Sequence, residues 1–501
     1  MNPKNTGGRW HWPNWRLCCF LLLSGCHSIP TAEVLVPARV PELVPVTYTV
    51  EAPTQDGKPI PISLDIVLRS AQDNNGQIRL ARMRLDDATY DQHWAAKHWL
   101  PDLSVGIGTY RHEGAIQDFQ GNIVRSSYGS ALAGLELTGK YDWKETLFRR
   151  VEAERRVWQQ KGELSKLTSE NLLDASTTYV ALVAARTGAI ISLETEVKLK
   201  DLLDQTIALA QVDPGIRVEV SRIETELMAQ TVLSAKLREA GKGSAAKLAY
   251  LLGLNPCCDI IIADKYLATI SLVDAHTPVD KLVDRALSRG PGVRELEGLL
   301  RTVQAARNTN YGATHWMPSV ELNIVEGSFG GGPGRQIEWA NRFDAAVHMR
   351  WNLNEFVYAK QKRHQADANI QQVHLSIHDL RSKLTLGVQE AREATHSNRE
   401  QVKFAERHIR HAEESYKLSD QRLRQNIKGR SSSEVLLALR TLSGARLEYI
   451  QAVRDLNKAQ LRLFILIGAV DPTSVEPLPT VPVRETPRRL PELIQQRRQP
   501  S

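Results

Sequence analysis

Four histidines are the first residues whose spacing suggests chemistry. His374 and His378 lie four apart and His408 and His411 three apart, within a stretch of helical pattern. Such spacings place two imidazoles on one helix face, which is half of a zinc shell. No glutamate joins the first pair in the metalloprotease arrangement, and no cysteine or carboxylate cluster adds further ligands. Solvated helix-face histidines are therefore expected, with no metal and no cofactor. The run Gly330-Gly331-Gly332-Pro333-Gly334 is glycine-dense, but it lies between two strand patterns and not between a strand and a helix. It reads as the loop of a hairpin, not as a phosphate cradle. Cys257 and Cys258 are adjacent, and a trans peptide places neighbouring Cβ atoms badly for a disulfide. No nucleophile has a base at a usable spacing, so the chain does not read as an enzyme.

One further residue carries chemistry. Lys4, Arg9 and Arg16 precede the apolar run Leu17 to Leu23, followed by Ser24, Gly25 and Cys26. This is the layout of a signal peptide over residues 1–25, with an apolar run far too short to span a bilayer. Leu23-Ser24-Gly25-Cys26 resembles a bacterial lipobox, in which the cysteine is acylated, for example by palmitate, and becomes the first residue of the mature chain. A cleaved signal with an unmodified cysteine has the same layout. Residues 26–61 carry many prolines and little periodicity, and read as a lipid-anchored tether.

Composition excludes less. The 501 residues are 42% hydrophobic and 24% charged, ordinary for a folded chain. The net charge of +7 arises partly in the tail 473–501, which is rich in Arg, Pro and Gln and reads as disordered. A nucleic-acid partner is therefore not expected.

The elements that must position these residues are long. Across 434–468, Val435, Leu442, Tyr449, Leu456 and Leu463 fall seven apart, and Ala438, Ala445, Ala452, Ala459 and Leu466 repeat at the same interval. Three- and four-residue alternation of large and small apolar side chains is a coiled-coil seam. A plain amphipathic helix would drift off a strict seven-residue register over this length.

The chain also repeats itself at an offset of about 215 residues: His98-Trp99-Leu100-Pro101 is echoed by His315-Trp316-Met317-Pro318, Glu219-Val220 by Glu434-Val435, and Leu251-Leu252-Gly253 by Leu466-Ile467-Gly468. A first repeat spans 62–256 and a second 278–472, joined by a linker over 257–277. Each holds a broken helix, two strands (102–143 and 319–353), a helix of nearly 70 residues, a Gly-containing turn and a helix half as long. In each repeat the two shorter helices together match the long one, which predicts end-to-end stacking along a rod.

In the strand regions Leu103, Val105 and Ile107 alternate with polar residues and glycine, as do Leu135, Leu137 and Tyr141. Val320, Leu322 and Ile324 do the same, followed by Ala345, Val347 and Met349. Strands of about ten residues, charged on one face and apolar on the other, suit a water-filled membrane barrel, as they suit a soluble sheet packed on a helix. On the barrel reading the lumen candidates are Glu136, Lys140, Glu321, His348 and Arg350. Four strands close no lumen, so several chains would share one barrel.

Together these residues resemble the TolC-type outer-membrane factors, the exit ducts of tripartite efflux pumps and type I secretion systems, in a lipoprotein branch. The resemblance covers about 63–472. It rests on the duplication, the Pro-led strand starts, the Gly-bearing turns followed by Glu-Val, and the repeat ends LAYLLGLNP and LRLFILIGAVDP. It implies a mainly α fold with membrane β: a homotrimer sharing a twelve-stranded barrel in outer-membrane lipid, above an α-helical periplasmic tunnel. It also implies passive conduction from a periplasmic adaptor (membrane fusion) protein and an inner-membrane transporter of RND or ABC type. By position, Glu434 matches the acidic ring of the tunnel aperture; the position of a second ring holds Leu437. Glu434 also suits a helix N-terminus, where the dipole favours a carboxylate, and Ser431, Ser432 and Ser433 are candidate caps. The turns at Gly215 and Gly429 match adaptor-contact sites, and Arg430 beside the second could pair across that contact or remain solvated. The competing reading is a periplasmic coiled-coil adaptor or scaffold lipoprotein without a pore.

Overall fold

The computed structural model describes residues 60–72, 74–256, 260–264, 266–274, 276–310, 317–333, 337–425 and 431–468. The expected signal peptide, Cys26, most of the tether, Cys257, Cys258, Gly429, Arg430 and the basic tail lie outside them. The elements run β1 (Ile60–Ile62), α1 (Leu64–Ser70), α2 (Gly76–Lys97), β2 (Asp102–Gln117), β3 (Ile123–Tyr141), α3 (Trp143–Val212), a 3₁₀ turn (Pro214–Ile216) and α4 (Arg217–Leu251). The second half follows as β4 (Ile260–Ile262), α5 (Val279–Arg289), α6 (Val293–Asn310), β5 (Ser319–Pro333), β6 (Glu338–Arg350), α7 (Asn354–Arg424) and α8 (Ser432–Leu466).

The long helices α3 and α7 have 70 and 71 residues, about 105 Å each at 1.5 Å per residue. Local chemistry sets the ends of α3. The Asp142 carboxylate accepts hydrogen bonds from the Lys144 and Glu145 amides at its start, satisfying donors that have no intrahelical partner. At its end Asp213 accepts from Gly215 N, and Pro214 follows, whose ring cannot continue the helix. Ser431 is the cap of α8, its Oγ accepting from Ser433 N.

The shorter helices stack end to end on the long ones. Helices α4 and α2 both pack on α3, and α8, α6 and α5 on α7. The joins are glycines in the left-handed region, Gly253 at φ +70° and Gly468 at φ +64°. A Cβ on Gly253 would stand 2.1 Å from the Asn74 carbonyl oxygen, and one on Gly468 2.1 Å from that of Arg289. Thus α4 ends against the break between α1 and α2, and α8 against the break between α5 and α6. The two contacts are related by the same offset as the sequence repeat.

The heptad residues of α8 are buried: Val435, Leu442, Leu456 and Leu463 together with Ala438, Ala445, Ala452 and Ala459, with Tyr449 half-buried. Leu439, Val453 and Leu461 are buried as well. The buried face is wider than a two-position seam because α8 packs on α3 in addition to α7.

Midway along the rod the chain makes a small parallel sheet, β1 on β4, that the sequence did not announce. Ile62, Leu64, Val67 and Leu68 pack there against Leu172, Tyr179, Val180 and Leu182 of α3. The one stretch of α3 apolar and long enough to cross a membrane is 67% buried in the molecule, so it serves this core. Tyr179 donates to Asp264 Oδ2 at 2.5 Å, and burial together with that carboxylate pushes its phenol well above the ordinary range. Two buried amides of α8 hold the linker. Asn457 accepts from Ile270 N and donates to the Ala268 carbonyl, and Gln460 accepts from Leu272 N and Val273 N.

The large sheet is antiparallel in the order β2-β3-β5-β6. Its strands have 16, 19, 15 and 13 residues, longer than the ten expected. They also stop earlier on the helical side. Trp143 already belongs to α3, and Trp351 and Leu353 follow the end of β6 at Arg350. Gly330 to Pro333 form the end of β5 and not a loop. Gly332 pairs with Gly129, and Trp339 and Ile337 lie over Gly330, where a Cβ would stand 2.4 Å from Ile337 Cγ2. An aromatic covering a strand glycine restores the packing that the glycine omits.

Candidate functional site

The pleat decides which side chains share a face. Lys140, Glu321 and His348 stand in one row across β3, β5 and β6. Period two adds Arg350 and Glu136, so all five lumen candidates lie on one side of the sheet. Arg350 Nη2 is 3.1 Å from Glu321 Oε2, and Arg342 Nε is 2.6 Å from Asp344 Oδ2 on the same side. Carboxylates there (Asp102, Glu136, Glu321, Glu338, Asp344) outnumber the basic groups (Lys140, Arg342, Arg350). The opposite face is apolar apart from Glu326, which stands opposite Leu135 and Phe343, and it is uncovered. Leu103, Val105 and Ile107 are 69%, 78% and 83% exposed, and Leu135, Val347 and Met349 are also exposed. Uncovered apolar area on this scale marks an interaction surface.

The sheet curls, and its glycines give the direction. Gly106, Gly134 and Gly327 form one row on the charged side. A Cβ on Gly134 would stand 2.4 Å from the Glu326 carbonyl oxygen and 2.8 Å from Gly327 Cα, and one on Gly327 2.6 Å from Gly134 Cα. Opposed residues in a flat pair keep Cβ atoms about 4.5–5.5 Å apart. Strands β3 and β5 therefore fold toward the charged side, which becomes the inside of the curve. Strands β2 and β6 are its two edges.

At the opposite end of the rod, carboxylates tie the two helical hairpins together. Arg424 of α7 lies 2.9 Å from Asp201 of α3 and from Asp420 of its own helix. Glu219 of α4 accepts from Ser431 Oγ at 2.9 Å and from Ser432 N at 3.1 Å, capping α8 from the other hairpin. Its repeat counterpart Glu434 instead pairs with Arg422 at 3.0 Å and accepts from Ser419 Oγ, within its own hairpin. Leu437, one turn on, is 66% exposed. Gly215 sits exposed in the 3₁₀ turn. Sequence reasoning read Glu219 only as a repeat marker, because a cap that crosses between hairpins leaves no local spacing signal.

The histidines do not converge. His374, His378 and His411 are exposed on α7, and His408 Nδ1 lies 3.2 Å from Glu448 Oε2 of α8. Among the described residues no group of three or more metal-ligating side chains occurs.

Neither a family model nor a curated protein matches the chain by sequence. Solved structures do match it in fold. The outer-membrane channel OprN is similar at 18% identity and TM-score 0.65, over 81% of this chain and 90% of that one. The CmeC outer membrane channel of Campylobacter jejuni is similar at 16% identity and TM-score 0.65, over 81% and 85%. A membrane protein from Pseudomonas aeruginosa is similar at 15% identity and TM-score 0.66, over 81% and 90%. The chain has the fold of TolC-type outer-membrane channels.

Proposed function

We propose that the chain is an outer-membrane export channel, passively conducting substrates as the exit duct of a tripartite efflux or type I secretion system. One observation carries the reading. A four-stranded sheet curls around a charged face, leaves an apolar face uncovered and ends in two open edges. An open edge has no water to pair with inside a bilayer, so a membrane-spanning sheet must close. Four strands are too few to enclose a lumen, and three copies bring the count to about twelve. The charged face, with Glu136, Lys140, Glu321, His348 and Arg350, then lines the lumen, and the apolar face meets lipid. The helices continue the duct into the periplasm.

The remaining roles follow from the same arrangement. The turns at Gly215 and at Gly429–Arg430 are the surfaces offered to a periplasmic adaptor, which in turn links the duct to an inner-membrane transporter of RND or ABC type. Cys26 is the site of acylation in outer-membrane lipid. Cys26→Ser is expected to abolish incorporation of labelled palmitate, and labelling that persists would contradict the anchor. Glu434 is the aperture carboxylate. Its ion pair with Arg422 is exposed enough that losing it costs less than about 1 kcal/mol, so Glu434→Ala should fold normally. The expected change is in leak or cation block in planar bilayers, because three carboxylates around a narrow pore favour cations. Conductance and block identical to the wild type would leave Glu434 a helix-terminal carboxylate only.

The test of the whole reading is purification from outer membranes in detergent. A trimer with β-signal in circular dichroism and stepwise conductance is expected. A monomeric, non-conducting species would favour the poreless periplasmic scaffold.

A further inference from the structure

The inner face of the sheet changes character along its strands. Near the helices the inner face is charged and the outer face apolar apart from Glu326. Beyond Ile107 the outer face gains Arg111, paired to Glu113, and Arg125 on β2 and β3 while keeping Ile123 and Trp339, and the inner face acquires Tyr110, His112, Tyr128, Phe329 and the directly paired Ile116 and Val124 beside Glu338. This part of β2 and β3 reaches past the end of β5, whose Pro333 pairs with Tyr128.

The aromatics form one strip. The Tyr110 and Tyr128 ring centroids are 6.0 Å apart and those of His112 and Tyr128 5.4 Å apart. Glycines bare the ring faces. Gly108 has nothing within 4 Å of where its Cβ would stand, and Phe329 lies over Gly331, 3.1 Å from that position. Tyr110 is 55% exposed and Tyr128 40%. The protein's own cation already uses this surface, since Arg342 Cζ stands 4.9 Å from the centre of the Phe329 ring.

We propose that Tyr110, His112, Tyr128 and Phe329 form an aromatic contact site for the permeant at the outer mouth of the duct, taking cations with a flat aromatic or amphiphilic body. The inference rests on the export-channel reading. An inner face whose tyrosines stay exposed presents their rings to whatever occupies the axis. Ring faces attract cations through their quadrupole and stack on apolar bodies. The excess of carboxylates on the lower inner face draws the same class of solute.

The experiment uses the full-length trimer in planar bilayers, with tetraphenylphosphonium and tetraethylammonium as probes of equal charge. Tetraphenylphosphonium added on the outer side is expected to block with dwell times about tenfold longer than tetraethylammonium. In Tyr110→Ala/Tyr128→Ala the difference should shrink to about twofold, while Tyr110→Phe/Tyr128→Phe retains it. Equal block by the two probes in the wild type overturns the proposal, as does tetraphenylphosphonium block that survives the alanine pair. Higher open conductance in the alanine pair with block unchanged would assign the strip to contact between the hairpins of neighbouring copies. Absence of any conductance would instead fail the channel reading itself.

Discussion

Gly134→Val is expected to prevent assembly, whereas Gly106→Val in the same row should assemble normally. At Gly134 the new Cβ would stand 2.4 Å from a backbone oxygen and 2.8 Å from a Cα, neither of which can rotate away. At Gly106 it would meet nothing of its own chain within 4 Å. Overpacking that must move backbone costs about 3 kcal/mol or more, a factor of more than about a hundred in an assembly equilibrium. Valine itself suits a strand, so propensity offers no reason for Gly106→Val to fail. The check is the fraction of trimer recovered from outer membranes by gel filtration. Equal recovery for the two variants would mean that the curl between β3 and β5 is not required for closure.

The second large effect lies at the joins of the rod. Gly468→Val places a branched side chain at φ +64°, costing about 1–2 kcal/mol in backbone conformation alone. Its Cβ would also stand 2.1 Å from the Arg289 carbonyl oxygen. The expected loss is about 3 kcal/mol or more, seen as a lower denaturation midpoint by circular dichroism at 222 nm and as new protease cuts near the break between α5 and α6. Gly253→Val should behave alike at the Asn74 contact. Gly444→Ala is the control, because it lies within α8 with nothing within 4 Å of its Cβ position. Removing a mid-helix glycine there should stabilise by about 0.5–1 kcal/mol. A Gly468→Val protein as stable as the wild type would contradict end-to-end docking.

Much of this architecture was legible in the residues, for reasons that also explain what was not. A seven-residue interval held from Val435 to Leu463 is a long-range signal, and the helix it names is buried at those positions except at the half-buried Tyr449. The offset that relates Gly253 to Gly468 was readable as text and reappears as two equivalent backbone contacts. Strand length was underestimated because the alternation changes sense. Leu103, Val105 and Ile107 place apolar side chains on odd positions, and Ile116 on an even one, so the alternation on one face lapses near Gly108. The glycines from Gly330 to Gly332 read as a loop because glycine is the usual turn residue. In the fold they lie in β5 beside Gly129 and beneath Trp339, a close approach visible only once the strands are paired. Strands β1 and β4 have three residues each, too few for any periodicity. At the tip, Glu434 was singled out by position alone; its partner Arg422 and the crossing cap from Glu219 depend on how helices and hairpins meet.

In the proposed channel the curled sheet spans the outer membrane with its charged side facing water. Single cysteines placed along β3 in the membrane-embedded protein and labelled with a water-soluble maleimide decide whether it does. Substitutions at Glu136, Thr138 and Lys140 are predicted to react. Those at Leu135, Leu137 and Tyr141 should resist the reagent and respond to a lipid-borne quencher. Uniform labelling of all six, or labelling with the opposite alternation, would contradict a water-filled lumen bounded by this face.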